Sequence, residues 1–200
     1  MPEQTVKDLK KELYLMMHKA QEMLELAEDA FAKNKVSALD QAAELAGEIH
    51  RKEDVLTEAL SKMAAKNGEA RPLVAVPGHI EKIATSIERI VDGVRLKIKE
   101  GLLFSDKAIL ETGTMIVKAK DVLKKAGETM VTGTAAAVDA IRNESDAIIN
   151  MADSFATTHE ERLVSGECSP KSSSTYLCIL YAFEDLASHT KDAVKKSVPR

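Results

Sequence analysis

Apolar residues recur at intervals of three and four positions along most of this chain. In the first such stretch, about residues 6–33, they make one continuous stripe: Leu9, Leu13, Met16, Met17, Ala20, Met23, Leu24, Ala27 and Phe31. Because an α-helix has about 3.6 residues per turn, this spacing brings the apolar side chains to one face of a helix. A chain built of such stretches buries its apolar surface by packing helix against helix. The periodicity therefore predicts an all-α fold.

The same periodicity, interrupted by short breaks, predicts six long helices. Their expected limits are about 6–33, 36–66, 73–101, 106–131, 134–164 and 170–196. The breaks carry residues that end or start helices: Asn67-Gly68 ends the second helix, and Ser169 followed by Pro170 starts the sixth. Pro77-Gly78 predicts either a kink in the third helix or a later start. Long helices joined by short loops pack as antiparallel bundles.

The two halves of the chain show a weak internal repeat. An offset of 96 residues places Glu88 on Glu184 and His50 on Asp146. The same offset matches other positions of the third and sixth and of the second and fifth helices: Ile83 with Ile179, Ile87 with Phe183, Ile90 with Leu186, and Glu48 with Glu144. Residue identity between the halves is low, so two unrelated bundles in accidental register remain the alternative. We expect two tandem three-helix bundles, residues 1–101 and residues 102–200.

Composition excludes several classes of function. The formal net charge is −4, whereas binding to a nucleic-acid backbone needs a basic face, so we expect no nucleic-acid partner. Cys168 and Cys178 form no CxxC pair, which fits a reducing compartment. The sequence has neither the pattern of a signal peptide nor an apolar run of the roughly 20 residues that a membrane helix needs. We therefore expect a cytoplasmic protein without direct membrane insertion.

A strip of carboxylates is the clearest chemical feature of the sequence. Glu88 and Asp92 are four positions apart, and Glu81 falls on the same strip of the third helix. Such a strip beside a second acidic helix offers oxygen ligands to a metal ion. With 32 acidic residues in the chain, pairs at this spacing also arise by chance. The alternative is a solvated acidic flank that pairs with Arg95 or Lys99.

Catalytic motifs are not recognisable in the sequence. No His follows a Glu at the ferritin-type Glu-x-x-His spacing, and His159-Glu160-Glu161 lacks the second His of a zincin. A Gly-rich phosphate loop and a G-x-S-x-G elbow are also missing. His79 is interpreted as a histidine at the core boundary, and Asp185 with His189 as a surface pair. No nucleophile–base pair is discernible, so we expect a protein that is not an enzyme.

Three segments resemble the PhoU family. Ile87-Glu88-Arg89-Ile90-Val91-Asp92 looks like the L-E-R-I-G-D segment of that family, and Glu48-Ile49-His50-Arg51-Lys52-Glu53 resembles its acidic second helix. In the second half, residues 159–170 and 176–189 are similar to the PhoU-like cytoplasmic domain of sodium–phosphate cotransporters. The resemblance extends over nearly the whole chain in helix order, and it is specific around residues 48–60, 80–95 and 159–192.

The resemblance implies a pair of three-helix bundles that hold iron or zinc. The metal ligands that it implies are Glu88, Asp92, Glu48, His50, Glu184, Glu144 and Asp146. Glu88 and Asp92 match the first metal motif of the family in full, and His50 stands where the family often has an acid. In the second motif Ser188 replaces the expected Asp. Whether the second site survives that replacement is left open.

The function that the resemblance implies is regulation of phosphate transport and phosphate-starvation signalling by protein–protein contact. The implied partners are a phosphate transporter, its ATPase or a sensor histidine kinase. We also expect a homodimer, with Leu102, Leu103 and Phe104 as candidate contacts between chains. Two alternatives stand beside this reading: a metal-binding bundle with a metal-dependent enzymatic or storage role, and a helical scaffold without metal.

Overall fold

The computed structural model describes residues 5–198, and these form six α-helices and one short 3-10 helix. The α-helices are α1 (Val6–Lys33), α2 (Ser37–Ala64), α3 (Val76–Lys99), α4 (Asp106–Thr132), α5 (Ala135–Val164) and α6 (Pro170–Ser197). The 3-10 helix, Gly68–Ala75, lies between α2 and α3. Residues 5–198 contain no strand, which confirms the all-α prediction. None of the described helices combines the length and the apolar character needed to cross a membrane.

Polar caps explain where four of the six α-helices of residues 5–198, α1, α4, α5 and α6, begin. The Thr5 hydroxyl accepts a hydrogen bond from the amide of Asp8, and the Asp8 carboxylate accepts one from the amide of Thr5. This reciprocal arrangement satisfies two amides that the first turn of α1 leaves free. The hydroxyls of Ser105, Thr134 and Ser169 cap α4, α5 and α6 in the same sense. Short polar side chains are thus the sequence signal that sets the predicted limits.

The third helix starts later than its apolar pattern suggests. Residues 73–75, expected in this helix, belong to the 3-10 helix, and α3 begins at Val76. Pro77 stands in the first turn of α3, where the amide hydrogen that proline lacks would have no partner within the helix. Of the two expected effects of Pro77-Gly78, the structure therefore has the later start.

The six helices pack as two three-helix bundles that share one apolar core. The helices α1, α2 and α3 contact one another, and so do α4, α5 and α6. The bundles meet along α3 with α6 and along α1 with α4. The predicted architecture of two tandem three-helix bundles is confirmed. The expected boundary at residue 101 lies in the loop between α3 and α4, and the independence of the two halves as domains stays a prediction.

That loop turns its apolar side chains inward and outward alternately. Leu102 and Phe104 are 7% and 8% exposed, whereas Leu103 is 85% exposed. The Phe104 ring lies 5.7 Å from that of Tyr176, centroid to centroid, in an edge-to-face arrangement. Leu102 and Phe104 therefore stabilise this chain's own core and are not available as contacts between chains. Leu103 remains accessible to a partner.

Helices α3 and α6 run antiparallel and approach closely. The contacts join the start of α3 to the end of α6, with His79 beside His189, and the end of α3 to the start of α6. There Gly93 lies against Ile179: a Cβ atom at position 93 would be 2.6 Å from Cγ1 of Ile179. The absence of a side chain at Gly93 thus lets the two helices pack at this distance. Of the two clusters of ionisable groups described next, the second lies at this interface.

Candidate functional site

One imidazole joins two carboxylates on the surface between α2 and α3. Nδ1 of His50 lies 3.0 Å from a carboxylate oxygen of Glu81, and Nε2 lies 3.1 Å from one of Glu88. Glu81 and Glu88 are seven residues apart, which is about two helical turns, so both face the same neighbouring helix. The three side chains are between 32% and 38% exposed. We call His50, Glu81 and Glu88 the acid strip.

The acid strip offers suitable ligand types, but its donor atoms do not converge on one point. Imidazole nitrogen and carboxylate oxygen both coordinate iron and zinc. In this arrangement the ring of His50 separates the two carboxylates and directs one nitrogen to each of them. The three groups therefore form a chain of polar contacts rather than a coordination shell. Metal binding by this strip stays a prediction.

Asp92 and Glu48, also expected as ligands, lie apart from His50. Asp92 is exposed and lines a shallow groove that α6 also lines, with Cys178 among its residues. Glu48 forms an ion pair with Lys19 of α1, and the hydrogen bond from this lysine lowers the pKa of Glu48. The structure thus brings His50 and Glu88 together and directs the two other carboxylates elsewhere.

Arginine 95 does not neutralise the acid strip. Nη1 of Arg95 lies 2.8 Å from a carboxylate oxygen of Asp40 on α2. The alternative interpretation of the strip, a flank paired with Arg95, is therefore wrong for this residue. Instead of an arginine, the imidazole of His50 on α2 contacts Glu81 and Glu88 of α3.

In the second half of the chain, two of the carboxylates that were expected to bind metal form ion pairs with lysines. Nζ of Lys125 lies 2.8 Å from Glu144, and the hydrogen bonds that this lysine donates to Asp121 and Glu144 raise its pKa. Nζ of Lys191 lies 2.6 Å from Asp146. Asp146 on α5 thus reaches α6 as His50 on α2 reaches α3, but its partner is a cation. Glu184 lies one turn before Ser188 on α6.

A second group of ligand-type side chains lies between α3 and α6. One ring nitrogen of His79, one of His189 and one carboxylate oxygen of Asp192 all lie within 4.8 Å of one another. Among residues 5–198 this is the one such group of three or more His, Cys, Asp and Glu side chains. Burial lowers the pKa of both histidines, and Asp192 opposes the shift. We call these three residues the histidine cluster.

The sequence interpretation missed this cluster. Asp185, expected to form a surface pair with His189, instead pairs with Arg89 of α3. The ring of His189 faces His79, with 6.1 Å between the ring centroids. The available signal was the position of each histidine beside a buried residue, Ile80 for His79 and Thr190 for His189. That signal becomes specific only when the pairing of α3 with α6 is known.

A buried polar network closes one end of the second bundle. The guanidinium of Arg162 on α5 donates hydrogen bonds of 3.2 and 2.7 Å to the two carboxylate oxygens of Glu111 on α4. The hydroxyl of Tyr176 on α6 also donates to Glu111. The network therefore fastens three helices through charge-assisted hydrogen bonds in a site from which water is largely excluded.

A buried Ser–His contact adjoins this network. Nε2 of His159 lies 2.8 Å from the hydroxyl oxygen of Ser173, a contact that the sequence did not predict. Nδ1 of His159 is buried and has no hydrogen-bond partner in the part of the chain that the structure describes. A nucleophilic pair needs a third group that orients the base, and none of the described residues forms a hydrogen bond with Nδ1 of this ring. Since Ser173 is 7% exposed and His159 2%, we interpret the contact as part of the core.

Comparison with protein families assigns the first bundle. Residues 13–94 match the family model described as the PhoU domain. This part of the chain is therefore similar to a PhoU domain. The predicted resemblance to the PhoU family is thereby confirmed. The matched residues include Glu48, His50, Glu88 and Asp92, whereas Glu184, Glu144 and Asp146 lie beyond the match.

Solved structures extend the likeness to nearly the whole chain. The phosphate transport system regulatory protein PhoU from Streptococcus pneumoniae has a TM-score of 0.83 at 13% identity, over 95% of this chain and 91% of that one. PhoU from Pseudomonas aeruginosa has a TM-score of 0.85 at 11% identity, over 96% and 94%. A PhoU-like protein from Shewanella oneidensis has a TM-score of 0.54 at 17% identity, over 94% and 93%. Comparison with curated protein sequences gives no significant match.

Proposed function

We propose that this protein regulates phosphate transport and phosphate-starvation signalling by contact with another protein. The observation that carries the proposal is the match of residues 13–94 to the PhoU domain. The likeness in fold to the S. pneumoniae regulatory protein supports it. The partner that we propose is a component of a phosphate transporter, its ATPase or a sensor histidine kinase.

A regulator of this kind acts through a surface and needs no reacting group. One exposed apolar surface lies on α4, where Leu110 is 71% exposed and Val117 57%. These residues line a groove that continues to Phe31 at the end of α1. Apolar side chains with a polar surround are typical of protein contact sites. We propose a non-catalytic adaptor in the cytoplasm that binds through such helical faces, as a homodimer.

The metal-dependent alternative, an enzyme or a storage bundle, has less support in the predicted ligands. Such a role needs carboxylates and histidines of several helices to converge on one ion. Glu48, Glu144 and Asp146 each have a lysine as partner, so their charges are already neutralised. Screening the purified protein for hydrolase activity with added manganese or iron discriminates between the two functions. Activity that is lost in Glu88→Gln would favour the alternative.

Deletion and complementation test the regulatory role. We expect a deletion strain of the source organism to show altered uptake of labelled phosphate and an altered starvation response, both restored by the wild-type gene. Leu110→Glu should restore them poorly, because the added charge disrupts an apolar contact. Val55→Glu, at an exposed apolar position of α2, is the matched control and should restore them fully. Unchanged uptake and signalling in the deletion strain would refute the proposal.

A further inference from the structure

The histidine cluster stands where the two bundles meet. His79 belongs to the first turns of α3, and His189 and Asp192 belong to the last turns of α6. His189 and Asp192 are three residues apart, a spacing that places both side chains on one face of a helix. The cluster therefore draws its groups from both bundles, through helices that the packing of the core already holds side by side.

Two ring nitrogens in this cluster lack the partners that buried polar atoms normally have. Nδ1 of His79 and Nδ1 of His189 are both buried, and neither has a hydrogen-bond partner among residues 5–198. Most buried side-chain polar atoms in proteins are hydrogen-bonded, because an unpaired one costs free energy. Two such nitrogens in adjacent side chains indicate that the site can accept a further binding partner. A bound cation would be such a partner, since a neutral imidazole nitrogen is an electron-pair donor.

We propose that His79, His189 and Asp192 bind one divalent transition-metal ion of the class of zinc. Two imidazoles and one carboxylate are a donor set that such ions accept. Ligand atoms around a tetrahedral zinc ion are about 3.3 Å apart, given metal–ligand distances of about 2.0–2.1 Å. The three donors here lie within 4.8 Å of one another, so each pair has to approach by at most about 1.5 Å to reach that arrangement. Three protein ligands leave the fourth position to water.

The charges around the cluster suit a divalent cation. Asp192, Asp185 and Glu81 act on the two histidines as anions, and Lys82 and Lys196 act on them as cations. The two lysines are exposed, so water screens them more than it screens the half-buried Asp192. A bound ion would tie the start of α3 to the end of α6. Because only the folded chain presents all three ligands together, the ion would stabilise the folded state and the contact between the bundles.

Zinc binding by the purified full-length chain tests this proposal. After removal of metal with a chelator and dialysis, we expect calorimetric titration with zinc sulfate to show one zinc ion per chain at this site. Zinc at about 100 times its dissociation constant should raise Tm by about 5–10 °C. Cobalt as a probe should give the visible absorption of a site with nitrogen ligands. His79→Gln, His189→Gln and Asp192→Asn should each weaken binding at least about 10-fold and abolish the absorption.

A matched variant separates this site from others. His18→Gln removes an exposed histidine of α1 and should keep the affinity of the wild type. If a histidine substitution unfolds the chain, Asp192→Asn carries the test, since it replaces one half-exposed oxygen by an amide. Circular dichroism reports whether each variant is folded. No zinc binding by the wild type, or equal binding by folded Asp192→Asn, would overturn the proposal. Neither outcome bears on the phosphate-uptake result, which rests on a different assay.

Discussion

Arg89 of α3 forms an ion pair with Asp185 of α6, and the two residues are 96 positions apart. This is the offset by which the sequence repeat superimposes the two halves of the chain. When a two-fold axis relates two helices, residues near the axis contact their own equivalents. The Arg89–Asp185 pair has that property, so the axis of the predicted repeat would pass close to it.

Other contacts of the same interface follow the two-fold relationship. An offset of 96 residues places His79 on Thr175 and Gly93 on His189. His79 lies beside His189, and Gly93 lies beside Thr175, whose methyl carbon would be 3.8 Å from a Cβ at position 93. The two pairs are thus exchanged by the offset. The residues at these equivalent places differ in chemistry. Two imidazoles face each other at one end of the interface, and a glycine lets the two helices approach closely at the other.

Gly93→Ala should destabilise the protein although alanine favours helices. The added methyl group would lie 2.6 Å from Cγ1 of Ile179, which is fully buried and branched next to its backbone. Overpacking of this kind costs about 1–3 kcal/mol, against about 1 kcal/mol gained from helix propensity. We expect a net loss of about 1 kcal/mol in the free energy of unfolding, measured by urea denaturation.

Gly113→Ala is the control for this substitution. Gly113 stands within α4, and a Cβ atom there meets nothing within 4 Å. The variant should therefore gain about 0.5–1 kcal/mol from helix propensity alone. Opposite signs for the two substitutions identify the close approach of α3 and α6 as the cause. A Gly93→Ala protein as stable as Gly113→Ala would show that α6 moves aside without cost.

Much of the fold could be predicted from sequence because it depends on local signals. The stripe from Leu9 to Phe31 and the caps at Ser105 and Ser169 each act within one helix, and the helices begin and end within a few residues of expectation. The start of α3 differs because the apolar pattern continues through residues 73–75 while Pro77 fixes where an α-helix can begin. Apolar periodicity alone does not distinguish the last turn of a 3-10 helix from the first turn of an α-helix.

The candidate sites were less predictable because they depend on how helices pair. The acidic spacing of Glu88 was visible, but its partner His50 lies 38 positions away. His79 and His189 gave no joint signal, since neither shows in its own helix that the other faces it. The sequence also could not predict which lysine pairs with which carboxylate, because each helix offers several exposed carboxylates and the free energies of the possible ion pairs are similar. Long-range pairing is the information that the core supplies and a single sequence does not.

The buried Arg162–Glu111 pair should dominate the stability of the second bundle. Their side chains are 5% and 12% exposed, so removal of one charge leaves the other in a medium of low polarity. We expect Arg162→Met to lower the free energy of unfolding by about 3–5 kcal/mol. The double variant Arg162→Met, Glu111→Gln should recover part of that loss, because it buries no uncompensated charge. Urea denaturation of the single and double variants measures both effects.

An exposed ion pair provides the comparison for this experiment. Lys62 and Glu58 pair on the surface of α2 with side chains 74% and 67% exposed. Water and salt screen such a pair, so Lys62→Met should have a far smaller effect than Arg162→Met. Equal effects of the two substitutions would mean that water reaches Glu111 and that the network is not a closed one.

Asp92 and Glu88 should differ in their effect on any metal bound by the acid strip. Metal analysis of protein purified without chelator, in a His189→Gln background, removes the contribution of the histidine cluster. If the strip holds iron or zinc as the PhoU resemblance implies, Glu88→Gln should lower the metal content more than Asp92→Asn, because Glu88 contacts His50 and Asp92 is exposed. Asp40→Asn is the control. Metal at background level before any substitution would remove the strip as a metal site.

The pH dependence of stability should report the buried His159. Burial lowers the pKa of His159 below its ordinary value of 6.5, and Arg162 acts in the same direction, while Glu111 and Glu160 oppose both. Between the folded pKa and 6.5 the unfolded chain binds more protons, so the free energy of unfolding falls as the pH falls through this window. One group contributes a slope of at most about 1.4 kcal/mol per pH unit. We expect His159→Gln to flatten this part of the profile.

The slope, rather than the absolute stability, is the informative quantity in that measurement. His159→Gln also loses packing against Tyr176, whose ring centroid lies 4.7 Å away, so the variant should be less stable at every pH. His79 and His189 have lowered pKa values too, but their contribution is common to wild type and variant and cancels in the difference. His18→Gln, at an exposed position of α1, should keep the slope of the wild type. The contradicting result would be a plot of the free energy of unfolding against pH for His159→Gln that runs parallel to that of the wild type between pH values of about 5 and 7. It would mean that the ring of His159 takes up its proton without leaving the core. Protonation inside the core requires water or a carboxylate to reach Nδ1 of this ring.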